Sequence, residues 1–438
     1  MSTAVLEVEE APSLQRATRL LDAGPVNADR SDAWATFASL PMPARGDELW
    51  RFANVKALDL TSFTPSQLLA SEPREELLGR SIGLSESAGR MVFANDELLT
   101  RDRESSAVRQ NGVIWLPLAQ AATDHWDLFE RYFMREEAIL GSQKFAALHA
   151  SQVRAGTFLF VPRGVEIELP LETFHWLEGA HGSVFPHTLI IAEEMAKVTV
   201  IDRFESADSR APGFACGVND LWLGAGANVT YIAAQNWSRE TVAVHINSTV
   251  VGRDATARAL TVNLGARYFR GESVSHLRAP GGRSEMLAVA VADGTREIDQ
   301  RAFQIHEVPQ TSSDLLYKNA LDDQARTIFT GLIRVDPQAH KTDAYQKVRN
   351  LLLTDDCEAV SAPGLEIEAD DVRCTHGATS GQIEAEELFY LRSRGIPLKA
   401  AQRLIVFGFL EEAIARLGQR AVVENLSELL REKFALEG

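Results

Sequence analysis

The sequence predicts a mainly β protein, a parallel β-solenoid of about thirty residues per turn with helical regions at both ends. Three observations carry this. Apolar segments with period-two alternation follow one another from about residue 155 to about residue 360. Their turn exits align at Gly164, Ala196, Ala227, Ala257, Thr295, Ala325 and Asp356, in steps of about thirty residues with one longer step. Helical spacing replaces this texture before about residue 150 and after about residue 381. The repeated units are strands, which excludes a helical-repeat array, and a β-propeller would need longer blades of four strands. Turns every eight to twelve residues or so fit about three short strands per solenoid turn, each turn burying its inward residues against the next. A β-sandwich has strands at the same spacing and remains the alternative.

At 438 residues the chain exceeds one ordinary domain. We expect a mostly helical N-terminal region over 1–150, a β core over 151–380 and a helical C-terminal domain over 381–438. An apolar content of 45% is that of a soluble globular protein, and a net charge of −17 argues against nucleic acid or an anionic membrane as partner. No run is long enough to span a bilayer, and the opening MSTAVLEVEEAPSLQ lacks the basic-then-apolar order of a signal peptide. Three widely separated cysteines, Cys216, Cys357 and Cys374, make no disulfide framework and suit a reducing cytoplasm.

Taken in order, residues 1 to about 30 read as a mobile tail with a short amphipathic helix near 14–21. From Ser31, Trp34, Phe37 and Leu40 keep helical spacing until Pro41 and Pro43. Asp47 opens a short segment carrying Trp50, read as a core anchor and not a ligand, and Phe52. Helical stretches are expected at 65–78 and 126–150, with strands at 90–93 and 112–116. Within the repeats, Val198 and Ile328 are read as inward-facing. After residue 381 a helix over 384–394 begins with Glu384, Glu386 and Glu387, ends with Arg392 and Arg394, and is stopped by Gly395 and Pro397. Two more helices follow, separated at Gly418. In the first of these, Ala401, Leu404, Ile405, Phe407, Gly408, Leu410 and Ile414 cover most of the circumference. Such a helix either packs on the β core or presents a docking face to another protein.

Chemistry-bearing motifs are few. There is no G-x-x-x-x-G-K-[ST], no C-x-x-C and no G-x-S-x-G. His175, His181 and His187 recur at a spacing of six, which fits structural strand and loop positions. Asp293, Glu297 and Asp299 could serve a carbohydrate-active β-helix enzyme, but a turn and alternate strand positions point to a solvated edge. A self-associating structural solenoid is a third reading. Cys374 and His376 stand two apart, ahead of a flexible Gly-rich loop over 377–381. Thiolate and imidazole are ligands that iron accepts, and two ligands are half a site, so a partner or another part of the chain must complete it.

The segment CTHGATSGQIEAEELFYLRSRGI resembles the C-terminal signature of the SufB/SufD family of iron–sulfur cluster assembly scaffolds. The resemblance extends back through Lys318, Leu321, Phe329, Gly331, Ile333 and Val335, then Thr342, Ala344, Gln346, Leu351, Leu352 and Leu353. It is strong over about 310–410 and continues more weakly over 155–310. The H-G-A-T after the cysteine, the E-L-W-R-F segment and the low cysteine count are nearer the SufD branch than the SufB branch. The resemblance implies a right-handed parallel β-helix and a non-catalytic scaffold working with a SufB-like paralogue and a SufC-like ATPase. It implies ATPase docking on the C-terminal helices, where Phe389, Leu404, Phe407 and Leu410 would take part. It implies that His376 lies at the SufB–SufD interface and handles a transient iron or iron–sulfur cluster, with the role of Cys374 open and no permanently bound cofactor. Flavin is associated with the family, but no flavin-binding motif is found here. A homodimer is also expected to be possible, since an interface built for a homologue can meet itself.

Overall fold

The structure, a computed structural model, describes residues 26–102, 108 and 111–436, so the expected tail and its helix near 14–21 lie outside the described residues. Four strands lie in the N-terminal region: β1 (Thr64–Pro65), β2 (Gly89–Ala94), β3 (Glu97–Asp102) and β4 (Ile114–Pro117). The repeats begin with β5 (Gly156–Val161), β6 (Leu171–Leu177), β7 (Gly182–Val184) and β8 (His187–Ala192). They continue with β9 (Lys197–Ser206), β10 (Gly213–Leu223), β11 (Asn228–Asn236), β12 (Thr241–Val251), β13 (Thr256–Asn263) and β14 (Tyr268–Leu277). The last are β15 (Arg283–Ala292), β16 (Glu297–His306), β17 (Ser312–Leu321), β18 (Arg326–Val335), β19 (Asp343–Leu352), β20 (Glu358–Ile367) and β21 (Arg373–Gln382).

These strands form two sheets. The first runs β20-β18-β16-β14-β12-β10-β8-β5-β4, with β7 and β1 attached beside β10, and the second runs β21-β19-β17-β15-β13-β11-β9-β6-β2-β3. From β8 onward even strands pair in parallel with even strands and odd with odd, which is a parallel β-solenoid. Each full turn contains two strands of about ten residues, not three short ones. The longer step in the sequence repeat has its cause here. Ala196 and Ala227 precede strands of the second sheet and Ala257 lies at the start of another, whereas Thr295, Ala325 and Asp356 precede strands of the first. Between Ala257 and Thr295 the aligned series slips from one edge of the solenoid to the other.

One turn corner stacks with unusual regularity. Gly164, Met195, Gly226, Asp254, Gly281, Gln310 and Lys341 all have positive φ, between 53° and 78°. The left-handed residue reverses the chain in a short corner. Each passes its N–H to a carbonyl one turn on: Glu194, Ala225, Arg253, Pro280, Gln310, His340 and Asp371 accept in that order.

Alternation assigns the faces. Inward residues of the first turns, among them Val198, Val200, Leu221, Val229 and Ala243, form one apolar core. Ile328 lies on the opposite face from Thr327 and Phe329, so its expected inward position is corrected, although it is fully buried where it stands.

Both outer faces are covered. Helices α1 (Val26–Ser39), α2 (Ser71–Arg80), α3 (Leu118–Asp124), α4 (Trp126–Tyr132) and α5 (Gln143–Gln152) lie in the N-terminal region. Residues of α1, α3, α4 and α5 pack with Phe214, Cys216, Val218, Val242 and Val244 on the outside of the first sheet. Helices outweigh strands in this region, and its strands β2, β3 and β4 extend the two sheets. Three C-terminal helices follow the solenoid: α6 (Ala385–Ser393), α7 (Leu398–Ile414) and α8 (Arg420–Leu436). Val406, Leu410, Ala413 and Ile414 of α7 and Val422, Leu426 and Leu430 of α8 bury against Ile232, Leu260, Leu287, Val289 and Leu316 on the outside of the second sheet. Lys318 anchors α7 through the Phe409 carbonyl and Glu412, and Arg416 reaches Asp314 at 2.7 Å. Among the described residues no helix is long and apolar enough to cross a membrane.

Two expected outcomes follow. On β19, Val348 faces inward and is fully buried while Tyr345 faces outward and is exposed. Val348→Asp should cost about 3 kcal/mol or more in unfolding free energy, because it buries an unpaired charge. Tyr345→Asp should change stability by about 0.5 kcal/mol or less; equal shifts in thermal melts would contradict the alternation. The second concerns His175, stacked between the rings of Phe93 and Phe204 with centroids 5.2 Å away on each side. Burial, then the charge of His245, lowers its pKa to about 3. An unfolded histidine titrates near 6.5, so this contribution is complete above about pH 6.5 and is lost as pH falls toward 3. Between pH 7.5 and 5 the wild type should lose about 2 kcal/mol that His175→Phe does not lose, read as the difference between their urea-unfolding free energies.

Candidate functional site

The solenoid stops at β20 and β21, each the terminal strand of its sheet. On one side β20 pairs with β18 and β21 with β19; among the described residues nothing pairs with the other side. Their side chains are mostly half-buried or exposed, in contrast to the buried strands behind them. The end of the solenoid is therefore open, with a ten-residue edge from each sheet.

Cys374 and His376 lie on this last turn. The expected flexible loop over 377–381 is instead the continuation of β21, in parallel register with Lys347 to Leu351 of β19. Gly, Ala, Thr and Ser there have weak strand preference, but the backbone of β19 offers a full row of partners. Cys374 pairs with Ala344, His376 with Gln346 and Ser380 with Asn350, and all three β19 residues are buried and inward-facing. Asn350 Nδ2 donates to Ser380 Oγ and Ser361 Oγ, both at 3.1 Å, which confirms the face for Ser380. Cys374 and His376 thus share the inward face, about 7 Å apart along the strand.

Their environments differ. Cys374 is half-buried beside a small cluster of Ile333, Val335, Ala339, Ala344 and Ala369. Burial, then the negative charge of Asp343, pushes its thiol pKa up, so it is held as the protonated thiol. Binding a metal through this sulfur would have to expel that proton. His376 is exposed. Among the described residues no three His, Cys, Asp or Glu side chains come together as a metal site. Cys374 and His376 thus stand on one face of an edge strand, with no third such side chain grouped with them among the described residues.

The C-terminal helices divide the four residues expected at a docking face. Phe389 on α6 is 74% exposed and Leu404 on α7 is 53% exposed. Phe407 is half-buried, with the Arg431 guanidinium 4.7 Å from its ring centroid. Leu410 is fully buried against the second sheet, so it holds α7 down and presents no surface. The packing reading of the apolar helix thus holds for its Leu410 face, while Leu404 lies on a face left exposed. Tyr390 and Leu398 join Phe389 and Leu404 among the exposed apolar side chains.

The carboxylates considered for sugar chemistry are committed to arginines. Asp293 accepts from Arg239 and Arg296, Glu297 from Arg326 and the Asn54 N–H, and Asp299 from Arg270 and Arg301. Glu297 and Asp299 are buried, which corrects the solvated edge expected of them. The same arginines reveal a feature that sequence reasoning missed. Arg270, Arg301 and Arg326, on three neighbouring strands of the first sheet, donate to the carbonyls of Leu49, Arg51 and Phe52. The E-L-W-R-F segment is thereby strapped across the outer face toward the open end. Trp50 is the core anchor expected of it: it is buried, donates to the Gly141 carbonyl and carries the Arg270 guanidinium 3.6 Å from its ring centroid.

Comparison with known proteins gives a consistent result. The sequence profile described as SUF system FeS cluster assembly, SufBD core domain, matches residues 175–409, and that of the SufBD protein N-terminal region matches residues 15–173. The chain is 30% identical over 330 residues to the iron–sulfur cluster assembly protein SufD of Bacillus subtilis, covering 75% of this chain and 76% of that one. It is 29% identical over 303 residues to an iron–sulfur cluster assembly SufBD family protein of Mycobacterium leprae, covering 67% and 76%. A Staphylococcus haemolyticus protein of the same description is 26% identical over 420 residues, covering 93% and 89%.

The three cysteines make the open end measurable. Cys216 and Cys357 are buried and Cys374 is not. Iodoacetamide should label one cysteine per native chain, more slowly than an unstructured thiol at pH 7.5 and faster as pH rises. Intact mass should show no label on Cys374→Ala; two or three labels on the native wild type would contradict the burial.

Proposed function

The chain belongs to the SufBD family of iron–sulfur cluster assembly proteins, and from that membership we propose that it is a non-catalytic scaffold subunit of the SufD type. In this reading it joins a SufB-like chain end to end, carries a SufC-like ATPase on its C-terminal helices, and offers His376 to a cluster that is cargo and departs. The single observation that supports the pairing is the open solenoid end. Two unpaired strand edges, one per sheet, are a template that another chain of the same sheet spacing can continue. The inward face of β21 then lies between the two chains, so a ligand supplied by the partner can meet His376 there. Iron accepts the imidazole nitrogen directly, whereas Cys374 must first lose a proton that its surroundings retain. His376 is accordingly the principal ligand and Cys374 the lesser one.

The ATPase contact rests on α6 and α7. Phe389, Tyr390, Leu398 and Leu404 are exposed, while Leu410 and Ile414 on the other face of α7 tie it to the second sheet. A load applied at the exposed face reaches the solenoid through Lys318, whose ammonium holds both Phe409 and Glu412.

Two experiments test this. In a complex co-expressed with its SufB-like and SufC-like partners and reconstituted anaerobically, His376→Ala should keep the fold and the subunit stoichiometry. Its iron and sulfide content and visible absorbance should fall at least about tenfold, and Cys374→Ala should cost less. Normal loading of the His376→Ala complex would remove His376 from cluster handling. Separately, Phe389→Asp combined with Leu404→Asp should leave the melting temperature nearly unchanged, since both side chains are exposed, and abolish co-purification of the ATPase. Unchanged co-purification would move the docking face elsewhere.

A further inference from the structure

The interior of the solenoid is not uniformly apolar. Toward the open end, inward positions carry the amides Asn263, Gln300, Asn319, Gln346 and Asn350, all buried. Part of their hydrogen-bonding capacity is met within the protein. Gln346 Nε2 donates to Gln304 Oε1 at 3.3 Å, Gln304 Nε2 to Ser313 Oγ at 2.8 Å, and Asn319 Nδ2 to Asn350 Oδ1 at 2.8 Å. The remainder is not. Asn263 Oδ1, both polar ends of Gln300, Asn319 Oδ1 and Gln346 Oε1 have no protein partner. Leaving a buried polar atom unpaired costs about 1–3 kcal/mol, and five such atoms inside one solenoid would consume a large share of a domain's stability. The interior also encloses a cavity of about 20 Å3, whose mainly apolar lining includes Leu221, Met286 and Leu287 and also Asn247, Thr249 and Tyr317. One water needs about 10–15 Å3 of such space and two to four polar partners.

We propose that the solenoid interior binds ordered water molecules at these orphan amides, up to the last turn. The ligand is water itself: the orphan atoms are mainly amide oxygens that need donors, and Gln300 offers both a donor and an acceptor. The amides reach the residues already described in two columns: Gln346 pairs with His376, and Asn350 donates to Ser380 on β21. The proposal stands on the fold alone and does not depend on the assignment of function above.

The test uses the full chain. Oxygen-17 relaxation dispersion should count several long-lived internal waters in the wild type and at least one fewer in Gln300→Met. The melting temperature of Gln300→Met should stay level or fall. If the amide were dry, removing its two orphan groups would raise the melting temperature and leave the water count unchanged, and that outcome overturns the proposal. Should the variant fail to fold, a high-resolution crystal structure of the wild type decides. Water density within about 3.2 Å of Gln300 and Gln346 is expected, and amides turned onto protein partners with no water between them would overturn it.

Discussion

Parallel stacking is the interaction on which the rest depends. From β8 onward every strand is hydrogen-bonded to the strand one turn before it and, until the end, one turn after it. The column of left-handed corner residues from Gly164 to Lys341 repeats the same contract in the loops, each N–H answered from the next turn. A stack of this kind has no internal reason to stop. It ends where the chain leaves it, after β21, and the unanswered backbone there is a direct consequence of the rule that holds elsewhere.

Stacking also leaves two broad outer faces that water cannot be allowed to reach, and the two ends of the chain divide that work. The N-terminal helices and the strap over residues 48–54 cover the first sheet, and α7 and α8 cover the second. The two covers are held differently. The first depends on arginines on the sheet that grip backbone carbonyls of the strap, which fixes its path with little regard to its side chains. The second depends on apolar helix packing reinforced by Lys318 and Arg416. Among the described helices only α6 has no buried residue, and it lies between the last strand and the helices that cover the second sheet.

The period was legible in the sequence because small residues such as Ala196, Ala227 and Ala325 mark corners where a stacked chain leaves no room for large ones. The number of strands per turn was not, since alternation reports which face a residue takes and not where the chain bends. The slip between Ala257 and Thr295 was visible as one long step without revealing that it crossed from one edge to the other. β21 was hidden by its own composition: a Gly-Ala-Thr-Ser stretch reads as a loop until a neighbouring edge is present to order it. Cys374 and His376 were found by their chemistry, but their common inward face needed the pairing with Ala344 and Gln346. The arginine strap left no local trace, because Arg270 and Leu49 are 221 positions apart. The interior amides left no pattern to read, because alternation assigns a residue to a face without saying which inward residues are polar.

The strap has a consequence for how the protein is made. Phe52 leaves the ribosome 274 residues ahead of Arg326, the side chain that holds its carbonyl. At about 5–20 residues per second, that gap is on the order of 15–50 s. Successive turns can stack as they emerge, each on one already formed, and the Trp50 partners Gly141 and Phe145 emerge before the solenoid does. The backbone carbonyls around Trp50 are gripped only once Arg270, Arg301 and Arg326 have followed, so an early segment of the chain is fully secured late.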